Sequence, residues 1–389
     1  MLDLLSTSTD RYSTWTETEI RQQPDCWMNA LHSIGLQREK LNAFLAPRLA
    51  QDNLQIILTG AGTSAFIGDM ISPTLRRLTE KEVTSIPTTD IVTNPTDYLP
   101  THQPVLLISF ARSGNSPESV AAFDICNQYV ASCSHLVITC NQEGHLYQRA
   151  QNSQNGFALL MPPETNDKAF AMTSSITSMM CSCLAALAPN TFTIERFALV
   201  AQRVRDIIAL HDSRENVLPK NETFKRVVYL GCGGFQGLAR ESALKLLELT
   251  AGQIAAFYDT PTGFRHGPKS LVDDETLVVM FISNQPYTRQ YDLDLLAELR
   301  RDQIAKKVIA IADTQDDAIS AGMHCYLPAG DAFTDTELLF CFLVYAQLFA
   351  LNQSLNVGNT PDTPSASGTV NRVVQGVIIH PWNNQCIGA

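Results

Sequence analysis

Three charged residues in the sequence fall on one helical face. Glu241, Lys245 and Glu248 lie at i, i+4 and i+7 within Ala239-Arg-Glu-Ser-Ala-Leu-Lys-Leu-Leu-Glu-Leu249, whose apolar residues recur with the period of an α-helix. A carboxylate beside an ammonium is equipped to shuttle a proton. The same spacing also makes an ordinary solvated ion-pair face, and spacing alone leaves both readings open. Downstream lies Pro261-Thr-Gly-Phe-Arg-His-Gly-Pro268. His266 sits there in a loop punctuated by glycine and proline, not on an apolar face. A loop histidine titrating near neutral pH suits acid–base work; a plain surface turn is the alternative.

Two further stretches have the makings of an anion site. Gly60-Ala-Gly-Thr-Ser64 follows an apolar strand. Glycines let backbone approach a ligand, and a helix starting there aims free N–H groups at it. Ala111-Arg-Ser-Gly-Asn-Ser-Pro-Glu118 also lies between a strand and a helix, with Ser113 and Ser116 straddling a glycine and Pro117 suited to the first helical turn. Hydroxyls and helix N–H groups together form an uncharged phosphate cradle. Simple N-capping by Ser116 is the plainer account, and one helix start can do both.

The elements positioning these residues alternate strand with helix, the pattern of a parallel α/β sheet. Strands are expected at Gln55–Thr59, Pro104–Phe110 and His135–Cys140, and again at Arg226–Leu230, Thr276–Ser283 and Lys306–Ala312. Gly60 corresponds to Gly231, Gly62 to Gly233 and Val137 to Val308, each 171 residues on. A near-constant offset over three strands reads as an internal duplication. Only the first copy keeps hydroxyl-rich loops; the second has Gly-Gly-Phe-Gln and Asn284-Gln285-Pro286 in the matching places. The expected organisation is a helical segment over 1–34, one domain over 35–210, a second over 215–365 and a tail over 366–389, with a linker near Leu210–Glu222.

Composition bounds the rest. A chain of 389 residues with 45% hydrophobic and 17% charged residues is globular and long enough for two cores. A net charge of −11 argues against a broad nucleic-acid surface. The ten cysteines form no C-x-x-C pair and no zinc-ligand spacing, so no metal is expected. Met1–Glu19 lacks the pattern of a secretory signal, and a cytoplasmic setting follows. The most apolar run, Leu338–Leu351, is interrupted by Gln347, falls short of a membrane span and reads as a buried helix.

Taken together these residues resemble the sugar-isomerase (SIS) family, in particular the isomerase half of glucosamine-6-phosphate synthase. The match rests on Glu241-x-Ala-Leu-Lys-Leu-x-Glu248 followed by His266-Gly-Pro, with the glycine loops and Glu19-Ile20…Gln23-Pro24 adding to it. Pro87-Thr-Thr-Asp-Ile-Val-Thr-Asn-Pro95, Pro163-Glu-Thr165 with Ala171-Met-Thr-Ser-Ser175, and Asn371-Arg-Val-Val-Gln-Gly376 are similar to the galactosamine-6-phosphate deaminase/tagatose-6-phosphate ketose–aldose isomerase branch. The resemblance implies two tandem SIS domains of flavodoxin-like, doubly wound α/β fold, with one active site drawing on both. It implies that Thr63, Ser64, Ser113 and Ser116 bind the substrate phosphate, and adds Gly62, Arg112, Thr173 and Ser174 to the substrate-binding set. Glu248 would move the proton between C1 and C2, Lys245 would support the open-chain oxygen or nitrogen, and His266 would open the ring. In the family this histidine serves a neighbouring subunit, so a homodimer or larger homo-oligomer is implied. The synthase has serine, glutamine and lysine where this chain has Ala111, Arg112 and Ser175.

The expected reaction converts galactosamine 6-phosphate to tagatose 6-phosphate and ammonia, with no cofactor, metal, nucleic acid or membrane. The sequence shows no glutaminase segment ahead of the first SIS unit, and low free ammonia then favours deamination. Plain aldose–ketose isomerisation and fructosamine-type deglycation are alternatives within enzyme chemistry. A sugar-phosphate sensor is the alternative outside it, and would be expected to carry a basic helix-turn-helix segment that the first 50 residues do not show.

Overall fold

The computed structural model describes residues 14–213, 218–374 and 376–382. Residues 1–13, part of the inferred linker and the end of the tail lie outside them. The chain divides into two compact units. One takes in residues 26–166, 174–194 and the tail from 370; the other takes in the described residues up to 25, residues 167–173 and residues 195–369.

The first of these units holds β1 (Gln55–Thr59), β2 (Glu82–Ser85), β3 (Val105–Ala111), β4 (Cys133–Thr139) and β5 (Gly156–Leu160), in the order β2-β1-β3-β4-β5. The other holds β6 (Arg226–Leu230), β7 (Ala255–Asp259), β8 (Thr276–Phe281), β9 (Lys307–Ala312) and β10 (His324–Tyr326), in the order β10-β9-β8-β6-β7. All pairings are parallel. Counted within its own unit, each sheet runs 2-1-3-4-5, the flavodoxin-like doubly wound order. The expected α/β fold with two tandem domains is therefore present, and the duplication extends to topology.

The inner strands form because their sequences bury on both faces. β1 (QIILT) and β3 (VLLISFA) have every residue buried, as a parallel sheet covered on both sides requires. All six strands read from the sequence are present within two residues of the expected ends. The four not anticipated, β2, β5, β7 and β10, are the sheet edges.

Matching turns carry the duplication to individual dihedrals. Gly62 caps the helix Thr63–Thr79 at φ 55°, ψ −129°, and Gly233 caps the helix Gly234–Leu249 at φ 57°, ψ −127°. A side chain is disfavoured at such positive φ. The expected buried apolar helix spans Asp335–Asn356 and opens with a Thr334/Glu337 capping box. Phe342 on it lies 5.3 Å from the Phe235 ring and 5.8 Å from Phe281. The helix is long and apolar enough by composition to cross a membrane, but 89% of its most apolar window is buried in the protein, as an all-round apolar core helix must be.

Candidate active site

In the first-sheet unit the two hydroxyl loops follow neighbouring strands. β1 and β3 pair with Thr59 opposite Ser109, so both loops leave the carboxyl edge of one sheet, where doubly wound folds place ligands. Thr63 and Ser64 are buried in the first turn of their helix, just after the positive-φ Gly62. Ser113 and Ser116 are half-buried. Ser116 caps the helix Pro117–Tyr129: the Ser119 N–H donates to its Oγ at 3.3 Å. The Asn115 N–H donates to Ser113 Oγ at 3.3 Å, and Asn141 Nδ2 donates to the Ser113 carbonyl at 2.8 Å. Capping by Ser116 is therefore present, in a loop that leaves both serines half-buried. Arg112 is buried, with Nη2 donating to the carbonyl of Arg372 at 2.9 Å.

Ser174 opens the buried helix Ser174–Leu187 of the same unit, which packs against the helix Thr63–Thr79. Thr173 falls in the other unit, where its N–H donates to Asp167 Oδ2 at 2.9 Å. There the buried Glu19 carboxylate accepts from the N–H groups of Lys168 and Ala169, giving a structural role to the N-terminal Glu19 that the sequence singled out.

The second-sheet unit holds Glu248, Lys245 and His266. The helix Gly234–Leu249 follows β6 and buries Lys245 to 1% exposure and Glu241 to 0%. Lys245 pairs with Glu241 at 3.6 Å and more closely with Glu248. The solvated ion-pair face that the spacing allowed is not what forms. This is a buried ammonium between two carboxylates, and burying a charge is tolerable only with such partners. The Glu248 side chain is 21% exposed, so one carboxylate of the trio reaches the surface while its ammonium partner does not. Glu241 was visible as a helical neighbour; its burial was not.

His266 is exposed, after β7 and the short helix Pro261–Phe264, whose Thr260 cap accepts from Gly263 N–H at 3.0 Å. Its neighbours are pinned: Arg265 pairs with Glu298 at 2.8 Å, and Lys269 pairs with Glu298 and Asp302. The loop is held and its histidine presented outward.

At the carboxyl edge of the second sheet stands a group that sequence reading missed. Asp292 is fully buried; Oδ2 accepts from the Ser283 N–H at 2.9 Å, while Oδ1 has no hydrogen-bond partner among the described residues. Burial pushes its carboxyl up to about 6. Asp335, also raised by burial, accepts from Ser283 Oγ and from the Asn284 N–H at 2.7 Å. The Cys232 thiol beside them is raised by burial and by Asp292. Apart from this, Asp273, Asp274 and Glu275 bring carboxylate oxygens within 4.8 Å of one another. They belong to the turn before β8, where Thr276 Oγ1 donates to Asp273 at 2.6 Å.

Comparison with known proteins agrees with this architecture. The SIS domain family matches residues 48–189 and 223–357. A D-galactosamine-6-phosphate deaminase AgaS of Escherichia coli is 65% identical over 370 residues, covering 95% of this chain and 96% of its own. A protein of the same description from Shewanella sp. is 41% identical over 373 residues, covering 95% and 92%. The crystal structure of tagatose-6-phosphate ketose/aldose isomerase from Escherichia coli is similar at 60% identity and a TM-score of 0.91, covering 97% of this chain and 98% of that one. The chain belongs to the SIS domain family, in its galactosamine-6-phosphate deaminase/tagatose-6-phosphate isomerase branch.

Proposed function

We propose that this protein is an aminosugar-phosphate deaminase that converts D-galactosamine 6-phosphate and water to D-tagatose 6-phosphate and ammonia. The observation that carries the reading is the buried Lys245 between two carboxylates, one of which, Glu248, reaches the surface. The full-length similarity to deaminases of this description supports the choice of substrate.

In the reaction, Thr63, Ser64, Ser113 and Ser116 hold the phosphate through hydroxyls and helix N–H groups, an arrangement that needs no basic side chain. His266 assists ring opening, which frees the C1 aldehyde and acidifies the C2 proton. Glu248 removes that proton, giving an enolamine, and returns it to C1 as the C1 oxygen takes up a proton. Lys245 stays charged between its carboxylates and stabilises the developing negative charge. The resulting C2 imine adds water and loses ammonia, leaving the C2 ketone. One carboxylate serves both transfers because C1 and C2 are adjacent on one face of the enolamine.

The working form in this reading is a homodimer or larger homo-oligomer in the cytoplasm. Edge strand β7 carries adjacent exposed aromatics, Phe257 at 40% and Tyr258 at 42%, and leads directly into the His266 loop. An edge with apolar side chains on both faces suits coverage by a second copy.

The test is ammonia release by the purified protein with galactosamine 6-phosphate and glucosamine 6-phosphate in parallel. The reading predicts ammonia and tagatose 6-phosphate from the galacto sugar. Interconversion of aldose and ketose phosphates without ammonia would replace it with plain isomerisation, the activity for which the relative at 60% identity is named.

A further inference from the structure

We infer that Arg112 is a positioning residue that ties the carboxy-terminal segment to the phosphate loop, an assignment that rests on reading Ser113 and Ser116 as phosphate ligands. Arg112 stands between Ala111, the last residue of β3, and Ser113. Its side chain is only 6% exposed. It spends an N–H on a backbone carbonyl 260 residues away, that of Arg372, at 2.9 Å. The Arg372 guanidinium in turn donates to Asn166 Oδ1 at 3.0 Å. Further along the tail, Trp382 packs edge-on to Tyr129 at 6.1 Å and against the apolar cluster around Ile91, Val105 and Ile125.

The described tail has no helix or strand, so no ladder of backbone bonds fixes it. Ordering such a segment costs about 1–2 kcal/mol per residue in backbone entropy alone. Its order depends on anchors to the rest of the unit, among which a charge-assisted, partly buried hydrogen bond is one of the stronger kinds. The bond acts in both directions. While it holds the tail, it also fixes the side chain of the residue immediately before Ser113. On the other side, Asn141 holds the Ser113 carbonyl at 2.8 Å. Ser113 is gripped from both sides, and a phosphate site built from hydroxyls and N–H groups depends on such preorganisation. Loss of the Arg112 tether is therefore expected to weaken substrate binding more than the chemical step.

The experiment uses full-length Arg112→Met and Arg112→Lys. Hydrogen exchange of residues 370–374 is followed without substrate, alongside KM and kcat for ammonia release from galactosamine 6-phosphate. In the Met variant, exchange at 370–374 is expected to accelerate, with KM raised about tenfold, the scale of one charge-assisted hydrogen bond, and kcat changed far less. Lysine, which keeps a donor, is expected to recover part of both. A Met variant with raised KM but wild-type exchange in the tail overturns the inference and places Arg112 on the phosphate itself. Fast exchange with unchanged KM overturns it as well. Should the Met variant fail to fold, Trp382→Ala removes another anchor of the tail without touching the loop. It is expected to speed exchange at 370–374 and raise KM, and the absence of both overturns the inference. Failure of the deaminase reading itself looks different: the unaltered protein releases no ammonia, while the exchange result is unaffected.

Discussion

The carboxyl edges of the two sheets share a scaffold and differ in chemistry. After β1 and β3 the loops offer Thr63, Ser64, Ser113 and Ser116; 171 residues on, after β6 and β8, the corresponding places hold Gly234, Phe235, Asn284 and Tyr287. Two carboxylates, the buried Asp292 and the half-buried Asp335, lie behind that second edge, which disfavours an anion there. The helices invert the contrast. Glu241, Lys245 and Glu248 on the second have Met70, Thr74 and Arg77 as counterparts on the first. In the proposed reading one copy keeps the anion loops and the other acquires the proton-transfer helix, although strand order and the glycine turns at Gly62 and Gly233 coincide. A duplicated fold fixes where groups are presented, and side chains alone decide what they do.

Substitutions at each edge put that contrast to the test. The largest effect is expected at Glu248. Glu248→Gln keeps the shape but not the base, and ammonia release should fall by about 10²–10⁴-fold, the range for a positioned general base. Retention of full activity would remove the proton-transfer role from this helix.

Next comes Lys245→Met, which leaves Glu241 buried without its ammonium. Removing one partner of a buried ion pair costs about 3–5 kcal/mol, to be read from the urea midpoint. The counterpart change on the first helix, Thr74→Met, alters a half-buried hydroxyl and no buried charge, and is expected to shift the midpoint far less. Equal shifts would contradict a specialised second helix.

Asp292 gives a pH-dependent contrast. Its carboxyl stands at about 6 in the fold against an ordinary value of 3.8, so the folded state holds the proton more tightly than the unfolded chain. Its contribution is fully present below the unfolded value and is lost as pH rises through the folded one. Asp292→Asn should match the native protein near pH 4 and exceed it at pH 7 by about 3 kcal/mol at most. Urea midpoints across that range check this, and an Asn variant less stable at pH 7 would contradict it.

The smallest effect is at Ser116→Ala, where loss of the N-cap should cost about 1 kcal/mol. A raised KM beyond that stability change would separate anion binding from capping.

Much of this was legible in the sequence where burial is uniform. The inner strands β1, β3, β4, β6, β8 and β9 are short apolar runs because both faces are covered. Edge strands such as β7, AAFYD with two exposed aromatics, lack that signal since one side meets no neighbouring strand. The spacing of Glu241, Lys245 and Glu248 showed a shared face, but whether that face meets water depends on tertiary packing. Asp292 depends on Ser283, Cys232 and Asp335, and Arg112 on Arg372; such partners are joined by folding and leave no local pattern.

The central claim, that anion binding and proton transfer are separate tasks of the two copies, is tested most directly by calorimetric titration of Glu248→Gln with tagatose 6-phosphate. The account predicts affinity close to that of the unaltered protein in a variant that releases almost no ammonia. Loss of binding together with turnover would contradict it.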